Sequence, residues 1–364
     1  MSVELYVGLM SGTSLDGVDA VLADLSGDKP RPIADAQLPF DAPLRRELLA
    51  LNTRGDNEIE RASVAGNELA RRYAAAVERV LAGSNTRAAT VRAIGCHGQT
   101  IRHRPELGFT TQIGNPALLA ELTGIRTVAD FRSRDVAAGG QGAPLVPAFH
   151  AALFADAAED RVALNLGGIA NLSILPGRGE VTGFDSGPGN CLLDFWALRH
   201  LGKPYDADGA WAAAGKADTA LLERLLQEPY LSAKPPKSTG RDLFNEAWLQ
   251  GMLRGGEDPQ AVQATLLEFT ARSVADAVAR SCRGARRVIV CGGGAKNGAL
   301  MRRLAELLKP AALETSSRHG VDPQLVEATA FAWLAKRALT GEPGNLPAVT
   351  GARGARVLGA IYPA

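Results

Sequence analysis

The sequence predicts an α/β protein of two lobes, and three observations carry that prediction. At 364 residues the chain exceeds a single ordinary domain, since roughly 150 residues per domain gives about 2.4. Two units of strand, glycine turn and strand open its two halves, near residue 5 and near residue 162. Beyond the second unit, short apolar runs alternate with helical patterns, the layout of an α/β sheet.

The first unit is Leu5 to Met10, the turn Ser11 to Gly17, and the apolar run Val18 to Leu25. A helix is expected from Asn57 to Ala82, where Ile59, Ala62, Ala65, Leu69, Tyr73, Ala76, Val77, Val80 and Leu81 recur at helical spacing. Val91 to Cys96 reads as a buried strand that runs into His97-Gly98-Gln99-Thr100. The uncharged stretch Val136 to Ala155 is broken by Gly139, Gly140, Gly142, Pro144 and Pro147, so it predicts a loop and then a buried helix, not a membrane span. The second unit is Val162 to Leu166, Gly167 to Asn171, and Leu172 to Leu175. Its likeness in layout to the first suggests an internal duplication and a lobe boundary near residue 155, giving lobes over 1–155 and 156–344. Then come a strand Val181 to Phe184, a helix from about Asn190 to Leu201, an amphipathic helix Pro259 to Cys282 and a strand Arg287 to Cys291. Helices near Asn297 to Leu308 and Pro323 to Leu339 complete the series.

Composition narrows the function. Forty Lys and Arg stand against 39 Asp and Glu, a net charge of +1, so no global field recruits nucleic acid or an anionic membrane, and any anion site is local. Forty glycines and twenty prolines accompany 46 % hydrophobic residues, enough aliphatic surface to exclude disorder. Cys96, Cys191, Cys282 and Cys291 form no C-x-x-C pair, which predicts four buried small apolar side chains in a reducing compartment. The N-terminus lacks a basic n-region, so a cytoplasmic protein is expected.

No P-loop, Rossmann fingerprint, zincin or hydrolase-elbow motif occurs. Three glycine turns after apolar strands, Ser11 to Gly17, Gly167 to Asn171 and Gly292 to Gly298, can instead offer bare backbone N–H groups to phosphate. Asp16 and Asp19 border the first turn; carboxylates there suit a cation such as Mg²⁺ between them and phosphate, or Asp16-Gly17 is a turn dipeptide. Asp185, at the end of its strand, is either an exposed carboxylate suited to a general base or an N-cap of the next helix. Arg132, in Asp130-Phe131-Arg132-Ser133-Arg134-Asp135, can grip a carboxylate bidentately or belong to a surface charge cluster. Glu327 follows Asp322-Pro323, a helix-start signal, and shares a stripe with Phe331 and Leu334. His97 is a sugar contact or a satisfied structural histidine.

Taken together, Gly8 to Asp19, Cys96 to Thr100, Asp130 to Arg132, Gly139 to Pro147, Asn165 to Asn171 and Phe184 to Asn190 closely resemble the anhydro-N-acetylmuramic acid kinases of bacteria, over nearly the whole chain. The resemblance implies a two-lobed actin-like ATPase fold, a duplicated ribonuclease H-like topology with a central cleft, in which the last residues, about 345–364, return to the first lobe. It places the ATP segment on Gly12, Thr13, Ser14, Leu15, Asp16, Gly17, Val18 and Asp19. The second phosphate turn falls on Gly167 and Gly168, the adenosine-side turn on Gly292, Gly293 and Gly294, and the catalytic aspartate on Asp185. Substrate contacts fall on His97, Asp130, Arg132 and Glu327, and Mg²⁺ is expected near Asp16 and Asp19. The implied reaction turns 1,6-anhydro-N-acetylmuramic acid, water and ATP into N-acetylmuramic acid 6-phosphate and ADP, in a homodimer that recycles peptidoglycan. An ordinary sugar kinase or a nucleotide-switched actin-like binding protein are the alternatives on the same fold.

Overall fold

The computed structural model describes residues 3–12, 15–235, 237–240 and 243–364. Among these the strands, in chain order, are β1 (Leu5–Met10), β2 (Gly17–Asp24), β3 (Arg31–Pro39), β4 (Val91–Cys96), β5 (Gln99–Arg104), β6 (Phe109–Ile113) and β7 (Thr127–Ala129). They continue as β8 (Arg161–Leu166), β9 (Ile169–Leu175), β10 (Thr182–Pro188), β11 (Arg287–Cys291), β12 (Ala312–Thr315) and β13 (Ala360–Tyr362). Two compact units result. One holds the described residues up to Leu153 together with Leu325–Ala364, and the other is Phe154–Gln324.

The two units share a topology. The first sheet runs β13-β7-β4-β1-β2-β3 and the second β10-β9-β8-β11-β12. In each, a strand pairs antiparallel with its successor, which pairs antiparallel with the third, while the first also pairs parallel with a later strand that leads to another parallel strand. The duplication suggested by the opening hairpins is therefore present in the strand order of both sheets.

Alternation along β1 sends Val7 and Leu9 to one face, where the helix Glu58–Gly83 buries Leu69, Tyr73, Ala76 and Val80 against them. The other face carries Tyr6 and Gly8. Here the helix Val326–Thr340 packs on β1, β2 and β4 and buries Phe331, Ala332 and Ala335 with Tyr6 and Ala93. Its approach is so close that a Cβ on Gly8 would lie 1.8 Å from the Ala328 carbonyl oxygen, and one on Gly95 would lie 1.9 Å from that of Phe331. Glycine in these two strand interiors is a packing requirement that offsets its cost in sheet propensity.

Several expectations are corrected. The return to the first unit begins at Leu325, not near residue 345, because the helix Val326–Thr340 belongs to the first sheet's core. That helix starts three residues after Pro323, since Asp322 accepts from the Gln324 N–H in a turn instead of capping it. Ile59, placed on the buried stripe, is 87 % exposed at the frayed start of its helix. Cys282 is only partly covered, whereas Cys96, Cys191 and Cys291 are buried. The loop and buried helix expected within 136–155 are present, with Phe149 and Leu153 fully buried on the helix Val146–Phe154. Among the described residues no helix is long and apolar enough to cross a membrane.

Gly95→Ala forces a methyl group into the Phe331 carbonyl, so it is expected to cost at least about 3 kcal/mol of unfolding free energy. Denaturant unfolding measures this; a loss below about 1 kcal/mol would show that the helix can shift outward at little cost.

Candidate active site

In the first unit the turn after β1 is built from inside. Ser11 is buried, its Oγ 2.7 Å from the Tyr73 hydroxyl and donating to the Gly98 carbonyl at 3.2 Å. The Gly12 carbonyl accepts from the Leu15 N–H and from Gln99 Nε2. Leu15, with φ of 57°, and Val18 bury their side chains in the core, so only their backbone can face a ligand. Gly17 lays a bare Cα against the Leu38 carbonyl, and Asp16 is exposed. Thr13 and Ser14 lie outside the described residues.

Four of the expected residues gather beside this turn. Arg132 donates from Nε and Nη2 to His97 Nε2, at 3.0 and 2.9 Å, and from Nη1 to the Gly142 carbonyl at 2.8 Å. A guanidinium only donates, so His97 Nε2 must carry a lone pair and the ring is neutral, with its proton on Nδ1. Burial first, and the Arg132 charge second, push the His97 pKa down to about 3. Nδ1 is buried and has no hydrogen-bond partner among the described residues, and the ring leans on Phe331 at 4.8 Å. His97 therefore stands behind Arg132 and holds it. Burial lowers the Arg132 pKa to about 10, against the pull of Glu327 and Asp135, and leaves it a cation at neutral pH. Burial raises the Glu327 carboxyl, with Arg132 opposing and Asp19 adding to the rise. Asp19 also accepts from Gln37 Nε2 at 3.0 Å.

Asp130 is placed differently. It is exposed at a φ of 58°, and its Oδ1 takes the Ser133 hydroxyl at 2.5 Å, so it shapes the bend between β7 and the helix Ser133–Ala137. Arg134 is exposed while Arg132 is half-buried, which separates the two cations of that cluster. Sequence reasoning missed Asp135. It is fully buried, and accepts from the Gly142 N–H, Asn345 Nδ2 and the Thr350 hydroxyl, tying the glycine loop that supports Arg132 to the C-terminal segment.

In the second unit, the β8–β9 turn turns its carbonyls inward: Gly167 O accepts from Asn190, and Gly168 O from Gly189 and Cys191. In a trans peptide N–H and C=O point oppositely, so the N–H groups of Gly168 and Ile169 are directed away from those partners. Such a pair of donors suits phosphate. After β11, a Cβ on Gly292 would lie 2.4 Å from Asn165 Oδ1 and one on Gly294 would lie 2.6 Å from Leu166 Cβ, whereas Gly293 faces open space. Of the three glycines of this turn, Gly293 is exposed, Gly292 half-buried and Gly294 buried.

Asp185 does not end its strand. β10 continues to Pro188, with a bulge between Asp185 and Gly187 that re-aims the carboxylate. The N-cap reading falls too, since the next helix, Cys191–Leu201, starts after Asn190. Burial pushes the Asp185 pKa up to about 6, although the Thr239 N–H, 3.0 Å from Oδ2, and the Lys237 charge both pull it down. A half-buried carboxyl poised near neutrality is the chemical profile of a general base. Thr239 and Lys237 lie in an irregular stretch with no periodicity to flag them.

The family model described as anhydro-N-acetylmuramic acid kinase matches residues 4–364. The chain belongs to that family. A relative from Cupriavidus pinatubonensis (strain JMP 134 / LMG 1197), named anhydro-N-acetylmuramic acid kinase, is 58 % identical over 98 % of this chain and 98 % of its own. Relatives of the same name from Variovorax paradoxus (strain S110), covering 100 % of both chains, and from Thiobacillus denitrificans (strain ATCC 25259 / T1), covering 99 % and 98 %, are each 57 % identical. The match extends over both units.

The His97 ring, with its pKa moved from 6.5 to about 3, stays neutral while an unfolded chain's histidine takes up a proton. Between these values the unfolded state binds more protons, so the stability from burying the neutral ring is complete above pH 6.5 and is lost as pH falls. Denaturant unfolding is expected to show a steeper fall from about pH 7 to pH 5 in the parent than in His97→Gln. Equal slopes would place the histidine outside this network.

Proposed function

We propose that this chain is an ATP-dependent kinase that opens 1,6-anhydro-N-acetylmuramic acid with water and phosphorylates O6, giving N-acetylmuramic acid 6-phosphate and ADP. The observation that carries the reading is Asp185, a carboxyl with one oxygen fixed by the Thr239 N–H and a pKa near 6.

In this reading Asp185 takes a proton from the water that attacks C1. The C1–O6 bond breaks, and O6, leaving the anomeric carbon, accepts the γ-phosphoryl group as the bond to ADP breaks. The leaving group and the phosphoryl acceptor are one atom, so one carboxylate does what a glycosidase divides between two. Arg132 reads the lactyl carboxylate. Its five N–H donors are more than His97 and Gly142 consume, and the remainder matches a planar anion. His97 acts through Arg132, and Glu327, beside that cation, contacts the sugar. Asp130 contributes by setting the bend that carries Arg132.

The nucleotide is held by backbone amides of the Gly12–Asp19 turn, with Thr13 and Ser14 included by resemblance, by the outward N–H groups at Gly168 and Ile169, and by Gly293 beside the adenosine. Asp16 and Asp19 are two hard carboxylate donors, the kind of set Mg²⁺ takes with phosphate and water. When bound, Mg²⁺ neutralises and aligns the triphosphate. We further assign a cytoplasmic location, which the scatter of the four cysteines, with no C-x-x-C pair in the sequence, supports. A homodimer is also assigned, supported by the family resemblance and by exposed Ile59 and Val64 on one helix.

Asp185→Asn is expected to bind nucleotide nearly as the parent does and to lose turnover by at least about a thousandfold. ADP release with Mg-ATP and 1,6-anhydro-N-acetylmuramic acid measures it, and activity within about tenfold of the parent would remove Asp185 from the role. In heavy-oxygen water the product should carry solvent oxygen at C1; its absence would identify an ordinary sugar kinase. Arg132→Ala should raise the sugar KM far more than the ATP KM, and equal effects on both would separate Arg132 from the carboxylate.

A further inference from the structure

β10 is an edge strand of the second sheet, and its outer side at Asp185 is met by Tyr230, from the short helix Pro229–Ser232, and by Lys237 and Thr239, which lie outside any helix or strand. The Asp185 N–H donates to the Lys237 carbonyl at 3.3 Å, and the Asp185 carbonyl accepts the Tyr230 hydroxyl at 2.8 Å. The Thr239 N–H reaches the carboxylate itself. Three bonds from residues 230–239 thus converge on one residue, covering its N–H, its C=O and its side chain. An edge strand needs no such triple closure to be satisfied; water would serve its backbone groups.

The segment is braced in turn. Lys237 Nζ donates to the carbonyls of Tyr230 and Leu231 at 2.9 and 3.2 Å and lies 4.5 Å from the Tyr230 ring centre and 5.6 Å from that of Phe184, the residue before Asp185. The ammonium is half-buried, so its charge acts on its surroundings with less screening than a surface lysine's. Arg280, from the helix Pro259–Ser281, donates to the same Leu231 carbonyl at 3.0 Å and so fixes the segment to the unit's core helix.

We propose that Tyr230, Lys237 and Thr239 form the positioning element for the Asp185 carboxylate, with Tyr230 and Thr239 setting its orientation and the braced Lys237 ammonium supplying a nearby cation. This rests on Asp185 being the base. Among the described residues, the groups facing Asp185 are few. β9 opposes it with Asn171, the long helix brings Ser273 close to Gly187 and turns Arg280 to Leu231, and the segment supplies the Tyr230 phenol and the Lys237 ammonium. Among the described residues Lys237 is the charge that acts on the carboxyl there, and it favours the ionised form, while burial and Arg280 pull the Lys237 pKa down and Asp185 raises it. Without Lys237 the carboxylate loses a stabilising cation, so its pKa must rise.

The test uses the full chain and two readouts. The Asp185 carboxyl is titrated by carbon NMR in the absence of substrate, and kcat is followed against pH with Mg-ATP and the anhydro-sugar. In Lys237→Met the carboxyl titration and the acid limb of kcat are expected to move up together by roughly half a pH unit or more, about a threefold change in the ratio of ionised to protonated carboxyl. Lys237→Arg, which keeps the charge, should stay with the parent. An unmoved titration in Lys237→Met overturns the proposal. Should that variant not fold, Tyr230→Phe is decisive: a fall in kcat of about threefold or more with an unchanged ATP KM supports positioning, and a kcat within about twofold overturns it. The NMR titration reads the coupling of Lys237 to Asp185 without any activity. An active Asp185→Asn would therefore remove the role of the base, while the titration still reports on the positioning element.

Discussion

The contact on which the first unit depends is the approach of the helix Val326–Thr340 to β1 and β4, backbone against backbone at Gly8 and Gly95. No side chain separates helix from sheet at those two points, so the helix has little freedom to slide. That seating brings Glu327 and Phe331 alongside residues contributed by distant parts of the chain. Phe331 supports the His97 ring, His97 supplies the lone pair that Arg132 needs, and Glu327 shares the field of Arg132 and Asp19. Each member of the cluster is immobilised by its neighbour. The result is a guanidinium held on two sides, by His97 and by the Gly142 carbonyl.

Glu327 and Asp185 answer to the same physics in different company. Burial raises both carboxyls. Glu327 has a cation and a second carboxylate nearby, which act against each other. Asp185 has a cation and a backbone donor, which act together and bring it back toward neutrality without making it a permanent anion. Environment, not residue type, sets these two carboxyls apart.

The elements with strong apolar runs or helical stripes were legible: β1 and β2, β8 and β9, β11, and the helices Glu58–Gly83 and Pro259–Ser281. β3 was not, because it alternates exposed residues along Arg31–Pro39, with charges and prolines at an outer edge and no apolar run to mark it. Asp185 was singled out, yet its setting was misread, since Gly187 and Pro188, which favour a turn, instead belong to a bulged strand. Arg132 and His97 stood out singly, but their pairing spans 35 residues and needs the sheet to be built first. Lys237 and Thr239 were silent because an irregular segment carries no period, and Asp135 looked like one more charge in a basic cluster until its buried partners near residue 345 came into view.

The discontinuity of the first unit has a consequence for biogenesis. Its sheet is encoded almost entirely before Leu153, while the helix that covers Gly8 and Gly95 is encoded after Gln324. A nascent chain must therefore carry that bare, glycine-lined face of the sheet through the synthesis of the whole intervening unit. That unit is continuous and has its own core, so it is able to fold first. The earliest strands to leave the ribosome are in this way the last to be sealed, and the Arg132 cluster matures only when the final stretch of the polypeptide has emerged.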